Sequence, residues 1–168
     1  MSYAVCRTDN LQGTSDGSKL VTLRYYDGSA YAAIDNGRIV KLDTLYSTSY
    51  KDIWKAIKPT ANDVASNGKL VLVAGVELMY SELKHNFDEF QNAVDADIRG
   101  YVLQSGDVFS VTADAFTSAA VPDLTTNKYI TLPATSYMTR GSSDSNVFAD
   151  LIAIEAEGGY TYYVLRVR

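Results

Sequence analysis

Hydrophobic and polar residues alternate along much of the chain in short runs separated by turn residues, a pattern typical of β-strands. Residues 20–26 are rich in β-branched and aromatic side chains, and Asp27-Gly28 follows where a hairpin would turn. Asn36-Gly37 favours a second tight turn, because both residue types tolerate positive φ. We therefore predict strands over 20–26, 29–34 and 38–42 that form a three-stranded meander.

The middle of the chain contains one strong strand pattern and two weaker patterns. Residues 69–74 are almost continuously apolar, which predicts a strand covered on both faces. Residues 50–58 fit either a short strand or a helical face, and Pro59 ends the element in both cases. The apolar spacing over 77–97 is too irregular for one long helix and predicts at most a few helical turns.

The last third of the chain reads again as short strands. Residues 101–103 and 108–112 flank a turn and predict a hairpin, and 128–132 predicts a further strand. Residues 149–155 and 160–167 lie on either side of a Gly-Gly turn and predict a final hairpin. The fold class we expect is mainly β, an antiparallel short-stranded sandwich or partly open barrel with one or two short helical turns.

Composition along the chain suggests three segments. Residues 1–19 are polar without a sustained period, which predicts an extended N-terminal arm. Residues 20–118 form the predicted β-rich core domain. Residues 119–168 form the predicted C-terminal β-hairpin region, either part of the same core or a separate small subdomain.

Length and charge exclude several classes of partner. The chain has 168 residues, enough to bury a sizeable core, and a net charge of −5, which opposes a non-specific grip on nucleic-acid phosphates. No apolar run approaches the roughly 20 residues that cross a bilayer, and the first residues lack the order of a signal peptide. We expect no nucleic-acid or membrane partner and synthesis in the cytoplasm.

The side chains that carry most enzyme chemistry are scarce. Cys6 is the only cysteine and His85 the only histidine, so a structural zinc site has too few ligands and no internal disulfide can form. We expect Cys6 to be an inert thiol. A Ser-His-Asp arrangement through His85 lacks the Gly-x-Ser-x-Gly motif, so a surface or capping histidine is the preferred interpretation.

Carboxylates offer two weaker candidates for chemistry. Residues 142–146 resemble half of a calcium loop but lack its central glycine and closing glutamate. Asp95 with Asp97, or Asp88 with Glu89, would supply the acid pair of a glycosidase, although solvated loop positions explain them more simply. We expect no enzymatic activity, no metal and no cofactor.

Tyrosine is the one residue in clear excess, with 13 in the chain against a single tryptophan. Tyrosine has an apolar body and a polar tip and is enriched at protein interfaces. Strand alternation puts Tyr160 and Tyr162 on one face of the last strand and Tyr163 on the other. The predicted partner-binding residues are Tyr3, Tyr25, Tyr26, Tyr160 and Tyr162. The alternative is that these rings complete a two-sided β core.

Several pieces between residues 36 and 116 are similar to one protein family in residues, order and spacing. These pieces are Asn36-Gly37-Arg38-Ile39-Val40-Lys41-Leu42, Leu72-Val73-Ala74 with Glu77-Leu78-Met79-Tyr80, Phe87-Asp88-Glu89-Phe90, Arg99-Gly100-Tyr101-Val102-Leu103, and Gly106-Asp107-Val108-Phe109-Ser110-Val111-Thr112. They resemble the small head proteins encoded beside the major capsid protein in tailed phages of Gram-positive bacteria. One segment departs from the family pattern: residues 45–55 are rich in Ser and Tyr, where the family has an acidic, Arg-bearing stretch.

The resemblance implies a structural virion protein, a capsid decoration or cement protein that binds and stabilises the assembled shell. The implied partner is the major capsid protein of a phage, and the implied location is the capsid head, after synthesis in the host bacterium. Many copies on a symmetric shell imply a homo-oligomer, for which a trimer is our expectation.

Two other functions remain open from the residues alone. One is a carbohydrate-binding or receptor-binding β module that uses aromatic rings and loop carboxylates such as Tyr25, Tyr26 and Asp144. The other is a small hydrolase that uses two carboxylates.

Overall fold

The computed structural model describes residues 2–11, 17–65, 69–79, 83–117, 121–133, 135–141, 143 and 146–168. These residues form a mainly β fold, which confirms the predicted fold class. The strands are β1 (Cys6–Arg7), β2 (Leu20–Tyr25), β3 (Ile39–Ser47), β4 (Tyr50–Ile57), β5 (Leu70–Val73), β6 (Ile98–Val102), β7 (Val108–Val111), β8 (Tyr129–Thr131), β9 (Thr139–Gly141), β10 (Ala149–Glu157) and β11 (Tyr160–Val167). The helical turns are α1 (Ala61–Ala65) and the 3₁₀ turns Gly17–Lys19, Phe87–Glu89 and Ala113–Ala115.

The strands form two sheets. Strands β2, β4, β3, β5 and β6 close into a barrel in that order, and the six-stranded second sheet has the order β1-β7-β11-β10-β8-β9. Strands β2 and β4 are parallel, with Thr22 opposite Ile53 and Tyr25 opposite Ala56. The other named strand pairs are antiparallel.

Strand β5 contributes side chains both to the barrel interior and to the core between the barrel and the six-stranded sheet. All four of its side chains are buried, as its continuous apolar run predicted. Leu70 and Leu72 belong to the core between the barrel and the sheet, which also contains Phe109. Val71 and Val73 point the other way into the barrel interior. Alternation along one strand therefore supplies two cores, and the barrel wall separates them.

The predicted meander of the first three strands is wrong. Strand β4 lies between β2 and β3, because β2 pairs with β4 in parallel and β4 pairs with β3 in a hairpin. Residues 29–34 form no strand and make only single bridges, Tyr31 to Tyr26 and Ile34 to Asn92. The Asn36-Gly37 turn is present, with Gly37 at φ +78°, but it leads the chain into β3 and does not join a hairpin.

The hairpin predicted around residues 105–107 is also wrong, although both of its strands exist. Strand β6 pairs with β2 and β5 in the barrel, whereas β7 pairs with β1 and β11 in the other sheet. The chain therefore crosses between the two sheets at this turn. A local pattern predicts the strands and the turn but not the sheet to which each strand belongs.

Two other predictions are confirmed, and one open alternative is decided. The final hairpin is present as β10 and β11, with a bulge between Leu151 and Ala153. The segment 50–58, which fitted a strand or a helix, contains strand β4. The described part of 77–97 contains only the short 3₁₀ turn Phe87–Glu89.

The six-stranded sheet contains strands from all three segments into which we divided the sequence: β1 from 1–19, β7 from 20–118, and β8 to β11 from 119–168. In the described part of the proposed arm, Ala4, Val5 and Leu11 are buried. Cys6 and Arg7 pair with Val111 and Ser110. The division into domains stays a prediction.

Gly100 lies where β6 approaches the interior of the barrel. A Cβ at this position would be 2.4 Å from Val71 Cγ1 and 2.7 Å from Leu23 Cδ2. We therefore predict that Gly100→Ala lowers the free energy of unfolding by about 1–3 kcal/mol through overpacking. Urea unfolding measures the change.

The matched control for this variant is Gly17→Ala. A Cβ at Gly17 would meet nothing within 4 Å, so this variant should unfold as the native chain does. Equal midpoints for the Gly100→Ala variant and the native chain would contradict the packing described for the barrel.

Candidate functional site

Four tyrosines lie in a row on the outside of the barrel, and we call them the tyrosine row: Tyr26, Tyr31, Tyr46 and Tyr50. Successive ring centroids are 5.4, 5.3 and 5.9 Å apart, with interplanar angles of 72°, 63° and 56°. Edge-to-face and tilted pairs at these distances are favourable, because the positive ring edge meets the negative ring face. The row is therefore a continuous aromatic surface.

Two cations pack on the row. The Arg24 guanidinium lies 4.4 Å from the Tyr46 ring centroid, and the Lys55 ammonium lies 4.2 Å from that of Tyr26. Arg24 also donates a hydrogen bond of 2.6 Å to Asp97. Lys55 in turn pairs with Asp43 at 3.6 Å, so each cation has a carboxylate partner. The surface thus combines half-exposed aromatic rings with two ion pairs.

The β3–β4 hairpin carries half of the row beyond the barrel. Strand β3 pairs with β5 only over Ile39 to Lys41, and β4 pairs with β2 only from Ile53 onward. Residues 43–45 and 48–52 between these points are exposed. Leu45 and Tyr50 are large apolar residues that remain 40% and 49% exposed here. The hairpin tip is therefore an aromatic projection with little contact to the rest of the chain.

The structure separates the five tyrosines that we predicted as partner-binding residues. Tyr26 lies in the tyrosine row, whereas Tyr25, its neighbour on β2, points into the barrel and is 6% exposed. Tyr162 is 5% exposed, and its ring contacts that of Tyr160. The rings of Tyr25 and Tyr162 are thus part of the chain's own interior. The partner contact predicted for all five residues stays a prediction.

Tyr3 and Tyr160 both hydrogen-bond to Asp88. The Tyr3 backbone N–H donates to the Asp88 carbonyl at 2.8 Å, and the Tyr160 hydroxyl donates to the Asp88 carboxylate at 3.1 Å. Ser2 donates to the second Asp88 carboxylate oxygen. Burial of the Tyr160 hydroxyl is the main factor that raises its pKa, so it remains a donor at neutral pH. This cluster ties the N-terminus to the last hairpin.

A cleft of about 870 Å³ opens beside the barrel, and we call it the Arg38 cleft after its most buried charged residue. Arg38 is 4% exposed and forms an ion pair with Asp35, whose other carboxylate oxygen accepts a 2.9 Å hydrogen bond from Gln91. The guanidinium lies 3.1 Å from the centroid of the Tyr137 ring. Its Nη1 atom is buried and has no hydrogen-bond partner among the described residues.

His85, the acid pair Asp95 and Asp97, and Cys6 are the other residues considered for chemistry. His85 is exposed, and its backbone N–H donates to Glu89, as expected for a surface histidine near a turn. Asp95 and Asp97 are exposed, and Asp97 pairs with Arg24. Burial raises the pKa of the Cys6 thiol, and the negative charge of Glu77 adds to this. The thiol is therefore protonated at neutral pH.

The calcium-loop candidate at 142–146 lies largely outside the described residues, and so does Asp144. Among the residues that the structure covers, no group of three or more His, Cys, Asp or Glu side chains is placed to hold a metal ion. None of the helices in that part of the chain has the length and apolar character needed to span a membrane.

Sequence reasoning missed Tyr31, Tyr46 and Tyr50 as members of one surface. The available signal was the Ser-rich and Tyr-rich composition of residues 45–55. It did not show that this hairpin brings its rings to Tyr26, because that contact depends on the parallel pairing of β2 with β4. No feature of the sequence marked Arg38 as a candidate site residue, apart from its position directly after the Asn36-Gly37 turn.

Comparison with known proteins identifies no relative of this chain. No protein-family model matches it, and no match is found among the curated proteins or the solved structures.

Asp27 precedes the loop that carries Tyr31 and provides a pH test of that loop. Its carboxylate accepts hydrogen bonds from the backbone N–H groups of Ser29 and Ala30, which lower its pKa from 3.8 to about 2. A carboxylate whose pKa is lower in the folded chain than in the unfolded chain stabilises the fold at pH values above its unfolded pKa. This stabilisation is lost as the pH falls toward the folded pKa. We predict that the Tm falls between pH 4 and pH 2, less steeply in Asp27→Asn.

The Asp27→Asn variant retains a side-chain oxygen that accepts the same hydrogen bonds but has no charge to titrate. The difference in Tm between the native chain and this variant should therefore be largest above pH 4. If that difference were the same at pH 2 and pH 5, the turn would not depend on the ionised carboxylate.

Proposed function

We propose that this chain is a structural virion protein that binds the assembled shell of a phage head and stabilises it. The observation that carries the proposal is the tyrosine row on a hairpin that extends beyond the barrel. Interfaces concentrate their binding energy in a few Tyr, Trp and Arg residues, and here the half-buried Tyr46 and Arg24 pack beside Tyr50, which is exposed at the hairpin tip.

The position of the row in the sequence supports an attachment role. Residues 45–55 are the segment in which the chain departs from the phage head proteins that it otherwise resembles. We propose that this segment makes the contacts that are specific to the shell to which this chain binds. Tyr46 and Tyr50 of the row lie on it, whereas the matched pieces 36–42 and 99–103 contain the first half of β3 and most of β6.

The frame behind the row suits a protein that resists mechanical load. The barrel closes on itself, and the six-stranded sheet shares one core with it. A closed barrel that packs against a second sheet has few free strand edges. Its strands can separate only if the packed core is disrupted. Many such copies, each bound to two or more shell subunits, would add contact area against the outward pressure of packaged DNA.

Cosedimentation with shells tests the proposal. The purified chain is mixed with empty shells assembled from the major capsid protein encoded beside it, and the shells are pelleted. We expect saturable binding with a fixed number of copies per shell. Failure to pellet with shells at any concentration, while the chain remains folded and monodisperse, would refute shell attachment.

The oligomeric state is part of the same proposal. We expect the free chain or its shell-bound form to be a homo-oligomer, with the trimer as the first form to be tested. Light scattering of the free chain and imaging of decorated shells distinguish a trimer at a three-fold position from single copies.

A further inference from the structure

The Arg38 cleft combines features of a ligand site that shell attachment does not use. Its volume of about 870 Å³ falls in the usual range for small-molecule sites. Shell attachment is assigned to the tyrosine row, and none of Tyr31, Tyr46 and Tyr50 lines the cleft. A ligand here would therefore be an addition to the proposed function and does not depend on it.

The polar groups of the cleft are mainly hydroxyls. The hydroxyl-bearing residues in its wall are Ser2, Tyr3, Tyr25, Thr117, Thr135, Ser136 and Tyr137. Burial raises the pKa of the Tyr25 hydroxyl, so this group is protonated and able to donate. Gln91 contributes an amide, one of whose N–H groups already donates to Asp35. Hydroxyls and amides both donate and accept, which suits a ligand that does the same.

Arg38 lies in the wall of the cleft with part of its hydrogen-bonding capacity unused. Its Nη2 donates to Asp35, whereas Nη1 is buried without a partner. An unpaired buried donor is unfavourable, and an oxygen from a ligand would remove that penalty. The guanidinium is held in place by Asp35 and by the Tyr137 ring, so it is already ordered before a ligand arrives.

The charges of the cleft favour a neutral ligand. Arg38 and Lys58 supply two positive charges to the wall, while Asp27, Asp35 and Asp114 supply three negative ones. Asp35 neutralises Arg38 directly. A phosphate or a polyanion would find no surplus of positive charge, and a cation would compete with Arg38 and Lys58.

Tyr137 adds an aromatic surface at the cleft. It is 40% exposed although one face of its ring lies against Arg38. The C–H groups on one face of a sugar ring carry slight positive charge and pack on the negative face of an aromatic ring. We propose that the Arg38 cleft binds a neutral saccharide, which packs on Tyr137 and accepts hydrogen bonds from Arg38 and Tyr25.

The test is an array of neutral and acidic oligosaccharides, followed by calorimetry with the neutral oligosaccharide that binds best. We expect binding to at least one neutral oligosaccharide. Tyr25→Phe removes one hydroxyl and should weaken that binding about tenfold. Arg38→Lys keeps a positive charge beside Asp35 but lacks Nη1, and should weaken binding by at least as much.

The matched control is Tyr101→Phe. Tyr101 is 7% exposed, close to the 6% of Tyr25, but it lies in the core between the barrel and the sheet and does not line the cleft. This variant should bind the saccharide as the native chain does. The Tm of each variant shows whether a loss of binding reflects unfolding.

Three results would overturn the proposal: no binding to any neutral oligosaccharide, binding to acidic oligosaccharides only, or equal affinity in Tyr25→Phe, Arg38→Lys and the native chain. These results leave shell attachment untouched, because the cosedimentation assay measures binding to shells and contains no saccharide.

Discussion

We expect Asp35→Ala to lower the free energy of unfolding by about 3–5 kcal/mol, the largest loss of stability among the substitutions considered. Arg38 is 4% exposed and pairs with Asp35, so the variant leaves a buried guanidinium without its counter-charge. It also removes the acceptor of the hydrogen bond from Gln91. Urea denaturation monitored by circular dichroism measures the loss.

The control for this prediction is Asp43→Ala. Asp43 pairs with Lys55 at 3.6 Å near the surface, where ion pairs contribute at most about 1 kcal/mol. The two variants remove the same charge from the same chain and differ in the burial of the partner. Similar losses in both would contradict the buried ion pair as a stabilising element of the Arg38 cleft.

The largest functional effect is expected from the tyrosine row. We predict that Tyr46→Ala combined with Tyr50→Ala weakens shell binding by about thirtyfold or more, the loss typical of interface hot spots. Tyr50 is exposed at the hairpin tip, whereas the Tyr46 ring contacts Tyr31 and Arg24, so we expect the Tm to fall by a few degrees while the chain stays folded. Cosedimentation with shells gives the affinity.

Leu124→Ala is the matched control for exposed apolar surface. Leu124 and Tyr50 are both 49% exposed, but Leu124 lies in the loop before β8, far from the row in sequence. This variant should bind shells as the native chain does. Equal binding by the double tyrosine variant and the native chain would remove the row from the attachment surface.

The strands and the fold class could be predicted from the sequence because their signals are local. The apolar run at Leu70–Val73 marked a strand buried on both faces, and the Gly158-Gly159 turn marked the final hairpin. Such patterns depend on side-chain periodicity over a few residues, which the sequence displays directly.

The order of the strands could not be predicted, because it depends on contacts between residues that are distant in the sequence. The parallel pairing of β2 with β4 separates β2 from β3 and removes the expected meander. The same limit applies to the turn at 105–107, where the chain leaves the barrel for the other sheet. Turn residues specify a reversal of direction but not the strand that becomes the neighbour.

The candidate sites were only partly predictable for the same reason. The tyrosine excess indicated aromatic surfaces, and alternation correctly placed Tyr162 and Tyr163 on opposite faces of β11. Which rings meet depended on the β3–β4 hairpin reaching Tyr31. Arg38 became a candidate only because the fold buries it beside Asp35 and leaves Nη1 without a partner.

Quantitative mass spectrometry of purified virions tests shell attachment most directly. Under this proposal a phage encodes the chain, and its particles are purified through density gradients until free protein is removed. We predict that the chain is present at a near-stoichiometric ratio to the major capsid protein. Finding it in the lysate of infected cells but never in the particles would contradict the proposed role in the phage head.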